Sequence, residues 1–272
     1  MRRFYNIFCT LRPLNMLIGA AYAYMSCHYI QEKEWAIYFP LSTFLSIAAG
    51  NIWNDLHDKE SDKINKPQQK KIYHFIGKKQ AYTLVYILMF SSLLSGILTK
   101  NIYLFLVVTG ANFALWAYGK WGKKWGYLGN YVVASLSALC IGAPALLSTH
   151  ADHFRIEILY LGAFLAFAFS FMREWVKDIE DIEGDLNSGA RTGVIRGGLG
   201  YAFRLLRAYS ILLAALLLYI PLLYQKPYLF LWILLFIPIL YWVNSAAPKE
   251  HVKKISFVLK LLFLSGFLVY TL

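Results

Sequence analysis

The sequence predicts an all-α membrane protein, a bundle of nine transmembrane helices around a central cavity. Hydrophobic residues make up 58% of the 272-residue chain, whereas charged residues make up only 15%. Soluble domains carry about 25% charged residues, so this composition favours the lipid bilayer as the surrounding medium. The apolar residues form long blocks, and the basic residues gather in alternate connections between those blocks. We assign residues 1–272 to a single membrane domain.

Nine apolar blocks are each close to the roughly 17–22 residues that an α-helix needs to cross a bilayer. Their predicted ranges are 14–30, 36–56, 81–99, 101–118, 127–148, 156–176, 202–221, 227–244 and 255–272. Only Lys100 and Asn101 separate the third block from the fourth, which predicts a tight hairpin. An odd number of crossings places the two termini on opposite sides of the membrane.

The basic residues indicate how these helices are oriented. All but four of the 27 Lys and Arg residues fall at the N-terminus or in the even-numbered connections; the exceptions are Lys33, Lys100, Arg155 and Lys226. The positive-inside rule then places the N-terminus, which carries Arg2 and Arg3, and the acidic loops in the cytoplasm, with the C-terminus outside. Because topology explains the net charge of +12, nucleic acid is excluded as a partner.

Two short acidic stretches hold ten of the 15 Asp and Glu residues, at the cytoplasmic ends of the second and sixth predicted helices. Both stretches place polar residues at intervals of four, three and four: Asn51, Asp55, Asp58 and Asp62 in the first, and Glu174, Asp178, Asp181 and Asp185 in the second. On a continuous α-helix such intervals keep all four side chains on one stripe. We expect the two stripes to face each other across one cavity.

Carboxylates at membrane depth are costly, and they are usually functional. Several acids crowded together repel each other unless cations neutralise them, and a ligand set made only of oxygen favours Mg²⁺ or Ca²⁺. Mg²⁺ keeps few protein ligands and uses its other positions for substrate phosphates. The sequence therefore predicts Mg²⁺ and a diphosphate between the two stripes. The predicted catalytic residues are Asp58, Asp62, Asp181 and Asp185, with Asp178 as a further metal ligand and Asn51, Asp55 and Glu174 as substrate contacts.

Positive residues on the same side of the membrane can bind the phosphate oxygens. The candidates are Lys66, Lys120, Lys123 and Arg191, with Tyr118 as a hydrogen-bond donor. Negative charge grows on a diphosphate as its bond to an allylic carbon breaks, so such donors stabilise the transition state more than the ground state. The carbocation-like chain left behind requires an interior without water, which an apolar bundle supplies.

At these residues the chain resembles the UbiA superfamily of intramembrane prenyltransferases. The motifs that carry the resemblance are Asn54, Asp58 and Asp62; Asp181 and Asp185; Arg12 to Asn15; and Asn65 to Pro67. The resemblance implies Mg²⁺ bound by Asn54 and the acids, Arg12 and Asn15 in substrate binding, and transfer from a polyprenyl diphosphate to a lipid-soluble or aromatic acceptor. Many members carry Tyr-x₃-Lys, but here the lysines follow Tyr118 by two and five residues, which leaves the phosphate-binding lysine open.

The segment from Arg173 to Asp185 is similar to that of geranylgeranylglycerol-phosphate geranylgeranyltransferases, which alkylate a hydroxyl to make an ether lipid. Three alternatives stay open. Quinone-type members of the superfamily alkylate an aromatic carbon instead. A cation-coupled transporter also uses paired intramembrane acids, although it favours acids near the bilayer midplane. A non-catalytic lipid-binding protein could keep the fold.

Overall fold

The computed structural model describes residues 10–272. All regular secondary structure in this part of the chain is helical, and it contains no β-strand. The α-helices are α1 (Pro13–Tyr29), α2 (Trp35–His57), α3 (Lys59–Asn65), α4 (Tyr73–Ile76), α5 (Lys78–Leu98), α6 (Ile102–Trp121), α7 (Tyr127–Leu147), α8 (His153–Glu180), α9 (Ile182–Asn187), α10 (Gly193–Leu223), α11 (Phe230–Asn244) and α12 (Val252–Ser265). Arg2 and Arg3, used above for orientation, lie outside the described residues.

Seven helices among residues 10–272 are long and apolar enough to cross a membrane, namely α2, α5, α6, α7, α8, α10 and α11 with its preceding turn. The remaining two predicted segments also fold as helices. However, α1 has only 17 residues, and α12 has 14 before it continues as a 3₁₀-helix, Gly266–Thr271. The all-helical fold is therefore confirmed, with seven candidate membrane-spanning helices among residues 10–272, whereas the count of nine crossings stays a prediction.

The outer faces of the long helices are apolar. Leu212, Ile37, Phe90 and Tyr241 expose between 67% and 71% of their surface. Exposed apolar surface on this scale is unfavourable in water, but it suits contact with lipid chains. The apolar blocks of the sequence thus serve both the outer surface and the core of the bundle.

Two of the packed regions in the bundle show how its helices are held together. One core lies among α8, α10, α11 and α12 and contains the fully buried Phe169, Trp232 and Phe236. In the other region α2 packs against α1 and α5, and the hydroxyls of Ser46 and Ser92 lie 2.7 Å apart between α2 and α5. Small polar side chains at such interfaces let helices approach closely and satisfy each other's hydrogen bonds.

Local sequence explains where several helices begin. The Asn101 side chain accepts hydrogen bonds from two backbone amides at the start of α6, so it caps the helix after the tight α5–α6 hairpin. Asp152 caps α8 in the same way. Gly198 has a positive φ of 76° and kinks α10, because a glycine adopts this conformation at little cost. The kink separates a short helical segment that begins at Gly193 from the long helix after Gly198, and this long helix begins close to the predicted residue 202.

The two acid-bearing helices bend at corresponding residues. Asp58 follows α2 with φ −83° and ψ 9°, and Asp181 follows α8 with φ −92° and ψ 8°. The amide of Asp58 still bonds to Asn54, and that of Asp181 to Lys177, both at 2.8 Å. The expectation of one straight stripe on each helix is therefore corrected: each chain bends at the central Asp and continues as a short helix, α3 or α9. These two short helices pack against each other.

Candidate active site

A cavity of about 310 Å³ opens between the helices and is lined by residues of α1, α2, α3, α6, α7, α8, α9 and α12. Part of its wall is apolar, with Ile18, Ile47, Val107, Leu136 and Phe263 among the lining residues. The acidic residues of both bends line the same cavity. The chain thus places charged groups and an apolar space side by side, as a substrate with a polar head and an apolar chain requires.

Most of the predicted site residues line this cavity. They are Arg12, Asn15, Asn51, Asn54, Asp58, Asp62, Lys66, Tyr118, Lys123, Glu174, Asp178, Asp181 and Asp185. Asp55, Lys120 and Arg191 are not among its lining residues. The structure therefore brings the two acidic stretches together and separates three residues that the sequence grouped with them.

The three separated residues have other contacts. The Lys120 ammonium lies over the rings of Trp116 and Trp121, at 5.4 and 4.8 Å from their centroids. Arg191 is exposed, and its backbone amide donates to the carbonyl of Lys123 at 2.7 Å. Asp55 is buried and paired with cations, as described below. Of the two lysines after Tyr118, only Lys123 reaches the acids.

Two lysines bridge the facing acids. Lys66 Nζ lies 2.8 Å from Asp181 Oδ2 and 4.0 Å from Asp62 Oδ1. Lys123 Nζ lies 2.7 Å from Asp185 Oδ1 and 3.2 Å from Asp58 Oδ1. Each lysine thus joins one acid of the α2–α3 segment to one acid of the α8–α9 segment.

Two oxygens of the predicted metal ligands are buried without a hydrogen-bond partner among the described residues, Oδ1 of Asn54 and Oδ2 of Asp185. The other carboxylate oxygen of Asp185 accepts a hydrogen bond from Ser61 at 2.5 Å as well as from Lys123. Asp178 accepts one from Asn130 at 2.9 Å. Buried polar oxygens without partners are rare in native proteins, so these two indicate positions at which a ligand would bind.

Asn65 connects α3 to α9. Its side-chain amide donates to the backbone carbonyl of Asp181 at 2.8 Å, and its oxygen accepts from the amide of Gly184 at 2.9 Å. A side chain at Gly184 would collide with the backbone carbonyl of Ser61 and with Asn65. Glycine is therefore needed where the two short helices cross, and this close approach sets the separation of the facing acids.

Lys71 contacts the acidic end of the cavity through Asp62, although the sequence did not single it out. It is buried, and its ammonium lies 3.0 Å from Asp55 Oδ1 and 2.8 Å from Asp62 Oδ2. Arg12 lies 2.6 Å from the same oxygen of Asp55, so the segment before α1 is also tied to this group. Lys71 follows a run of polar residues that resembles an ordinary loop, and only its burial distinguishes it.

The acidic end of the cavity carries more negative than positive charge, since five aspartates stand against the ammonium groups of Lys66, Lys71 and Lys123. These aspartates are Asp58, Asp62, Asp178, Asp181 and Asp185. Burial raises the pKa of Asp58 above its usual value, while the Lys123 ammonium acts in the opposite direction. No group of three His, Cys, Asp or Glu side chains among residues 10–272 forms a preformed metal site. The oxygen donors nevertheless fit a hard cation that takes its remaining ligands from a phosphate substrate and water.

The family follows from comparison with known proteins. Residues 14–267 match the model of the UbiA prenyltransferase family. The chain belongs to the UbiA prenyltransferase family. It is therefore an integral membrane prenyltransferase. Most of the residues that carried the resemblance line the cavity, whereas Pro13, Asn65 and Pro67 are not among its lining residues.

Relatives in this family include two archaeal proteins named digeranylgeranylglyceryl phosphate synthase. The protein from Sulfurisphaera tokodaii is 33% identical over 199 residues, which cover 70% of this chain and 68% of the relative. The protein from Thermococcus kodakarensis is 35% identical over 190 residues, 66% of this chain and 65% of the relative. Both matches cover about two thirds of each chain.

Solved structures share the fold over almost the whole chain. A structure of a digeranylgeranylglyceryl phosphate synthase superposes with a TM-score of 0.68 at 24% identity and covers 99% of this chain and 98% of its own. A UbiA homologue from Archaeoglobus fulgidus, bound to GPP and Mg²⁺, superposes with a TM-score of 0.67 at 19% identity, covering 98% and 100%. An apo homologue from Aeropyrum pernix gives 0.72 at 15% identity, covering 96% and 99%.

Proposed function

We propose that this enzyme transfers a geranylgeranyl group, with Mg²⁺, from geranylgeranyl diphosphate to the hydroxyl of geranylgeranylglycerol phosphate. The observation that carries the proposal is the meeting of two aspartate-bearing helix bends in one partly apolar cavity, with Lys66 and Lys123 between them. The acceptor is proposed from the relatives named digeranylgeranylglyceryl phosphate synthase, which are 33% and 35% identical to this chain over the matched residues.

The acidic end suits a diphosphate only when further cations are present. Asp58, Asp62, Asp181 and Asp185 would hold Mg²⁺, with the unpartnered oxygen of Asn54 as a further donor. The ion would supply charge neutralisation of the diphosphate. A UbiA homologue from Archaeoglobus fulgidus was solved with GPP and Mg²⁺, which supports this assignment.

The chain's own residues then promote departure of the diphosphate. Lys66 and Lys123 lie between the acids, where their ammonium groups meet the oxygens on which negative charge grows. The acceptor hydroxyl forms a new bond to the first carbon of the prenyl chain, the carbon–oxygen bond to the diphosphate breaks, and the hydroxyl proton is released. Apolar residues such as Val107 and Leu136 keep water from the reacting carbon.

We also propose that α1 and α12 complete nine crossings, with the acidic bends on the cytoplasmic side. The basic residues of alternate connections support this orientation. The lysines and acids of the site then lie at the depth of the lipid headgroups, and the prenyl chains occupy the apolar part of the cavity. This placement suits two substrates that both carry a charged head on a long apolar tail.

An acceptor panel tests the proposed function. Purified protein in detergent is incubated with Mg²⁺, geranylgeranyl diphosphate and one of three acceptors: geranylgeranylglycerol phosphate, hydroxybenzoate or dihydroxynaphthoate. We expect an ether product from the first acceptor and none from the others, and we expect EDTA to stop the reaction. Transfer to an aromatic acceptor alone would replace the ether-lipid assignment by a quinone-type one, and transfer without any divalent cation would contradict the metal site.

A further inference from the structure

A second set of charged residues lines the same cavity beside the acids. Arg173, Lys177 and Lys260 all border it, as does Arg12. Among the described residues 10–272, none of these four cations forms an ion pair with the five aspartates of the acidic end. Lys66 and Lys123 are assigned above to the proposed diphosphate, which leaves Arg173, Lys177 and Lys260 without an assigned ligand.

Helix α8 carries both sets on neighbouring stripes. Arg173 and Lys177 are four residues apart and form one stripe, whereas Asp178 and Asp181 belong to the adjoining stripe. Lys177 and Asp181 are separated by one turn, roughly 6 Å along the helix axis. A group held at Lys177 therefore lies about one helical turn from the acids at which the diphosphate leaves.

The basic residues exceed the negative charge available to them. The buried Glu174 accepts from Lys177 at 2.8 Å and from Arg173 at 3.1 Å, and Lys260 makes no ion pair among the described residues. Arg12, Arg173, Lys177 and Lys260 line the same cavity. The carboxylates that oppose these four cations are three: Glu174, Asp55 beside Arg12, and Glu180, which attracts Lys260. The Nε atom of Arg173 is buried and has no hydrogen-bond partner in the described part of the chain. A multiply charged anion would satisfy both the excess charge and this donor.

We propose that Arg173, Lys177 and Lys260 bind the phosphate group of the acceptor lipid. This inference rests on the proposed transfer to a glycerol phosphate lipid and assigns the residues that recognise it. A phosphomonoester carries up to two negative charges and three acceptor oxygens, which matches several cations better than a single carboxylate does. In a glycerol phosphate the reacting hydroxyl lies only a few bonds from the phosphorus. A phosphate at Lys177 thus brings the hydroxyl toward the acids.

Steady-state kinetics of variants test this assignment. The double variant Arg173→Gln/Lys177→Gln and the single variant Lys260→Gln are compared with the wild type in detergent. We expect the KM for geranylgeranylglycerol phosphate to rise about 10-fold or more, and the KM for geranylgeranyl diphosphate to change less than about 2-fold. Lys260→Gln is informative by itself because it leaves no buried partner unpaired. Lys253→Gln is the matched control, because Lys253 lies two turns earlier on α12 and is exposed like Lys260 but is not among the lining residues of the cavity.

A neutral acceptor separates phosphate recognition from a general loss of activity. The wild type should prefer geranylgeranylglycerol phosphate over geranylgeranylglycerol, and the variants should lose that preference while they use the neutral lipid as well as the wild type does. Glycerol 1-phosphate and inorganic phosphate, added as soluble inhibitors, show whether the phosphate alone is recognised. We expect both to compete with the lipid acceptor in the wild type and to compete more weakly in the variants.

Distinct outcomes separate this inference from the proposed function. If the wild type makes the ether lipid but the variants keep the acceptor KM, or raise the donor KM instead, the phosphate assignment is wrong and the proposed function stands. If the wild type transfers no prenyl group to any glycerol phosphate lipid, both are wrong. Preference for the phosphorylated acceptor that disappears in Lys260→Gln and persists in Lys253→Gln supports the assignment.

Discussion

The ammonium of Lys123 lies 2.7 Å from Oδ1 of Asp185, and this contact joins the end of the α6 segment to α9. The same ammonium lies 3.2 Å from Asp58, at the bend after α2. One lysine therefore neutralises acids from two different helices. Of the lysines after Tyr118, Lys123 is the one that lines the cavity, and we propose it as the phosphate-binding lysine that the sequence left open.

Replacement of either bend aspartate should abolish transfer. In Asp58→Ala or Asp181→Ala the site loses a carboxylate that we assign to Mg²⁺, and we expect product formation to fall by about 1,000-fold or more, since this charge acts on the leaving diphosphate. Radiolabelled product formation in detergent measures the loss. Glu60→Ala, which removes an exposed acid of α3, should retain full activity. Full activity in Asp58→Ala or Asp181→Ala would remove the metal-binding proposal.

Among the lysines after Tyr118, we expect only Lys123 to matter for catalysis. Lys123→Met should lower kcat about 100-fold, because it removes a cation that faces the developing charge. Lys120→Met should have little effect, since Lys120 rests on Trp116 and Trp121 outside the cavity. Lys124→Met, at an exposed neighbouring position, is the control. A larger loss in Lys120→Met than in Lys123→Met would show that the site is arranged differently.

The hydrogen bonds that Asn65 makes between α3 and α9 should affect kcat more than they affect folding. Asn65→Asp removes the donor to the Asp181 carbonyl and adds a negative charge beside it. We expect kcat to fall about 10–100-fold, as for other residues that orient metal ligands, while thermal unfolding in detergent changes little. Asn187→Asp makes the same change at an exposed position of α9 and should leave kcat unaltered. Equal kcat in Asn65→Asp and the wild type would exclude this positioning role.

Lys71 should be needed for stability. Lys71→Met removes the buried cation between Asp55 and Asp62 and leaves them only Arg12 at 2.6 Å and Lys66 at 4.0 Å. Breaking a buried ion pair costs about 3–5 kcal/mol, and the remaining cations should reduce that cost. The measurement is the midpoint of thermal unfolding in detergent, which should fall clearly below that of the wild type. Lys70→Met alters the exposed residue next to it and serves as the control. Unchanged midpoints in both variants would argue that Lys71 contributes no net stabilisation.

The orientation of the chain is open to cysteine labelling. Single cysteines are introduced into a cysteine-free variant of the protein as Gln69→Cys and His150→Cys. Gln69 lies in the loop after α3, His150 lies between α7 and α8, and both residues are exposed. A membrane-impermeant maleimide added to intact cells should label His150→Cys only, whereas Gln69→Cys should react after the membrane is opened. The reverse result would overturn the proposed topology.

The sequence could predict the candidate site because its signals are local. The acids of both bends, and Lys66 four residues beyond Asp62, could be selected from spacing and from the cost of charge near a membrane. The long helices followed from the apolar blocks. Lys71 and Asn65 could not be assigned their roles, because each acts on a residue of another segment: Lys71 reaches back to α2, and Asn65 reaches Asp181 on the other side of the cavity.

The sequence by itself determined the membrane fold and the acids of the site, since hydrophobic length and charge placement are properties of the chain taken in order. Only the tertiary structure decided which charges meet. It separated Lys120 from Lys123, turned Asp55 away from the cavity, and gathered Arg173, Lys177 and Lys260 along its wall. The physical reason is that ion pairing depends on distances of a few ångströms between helices, which the bends at Asp58 and Asp181 and the close approach at Gly184 set.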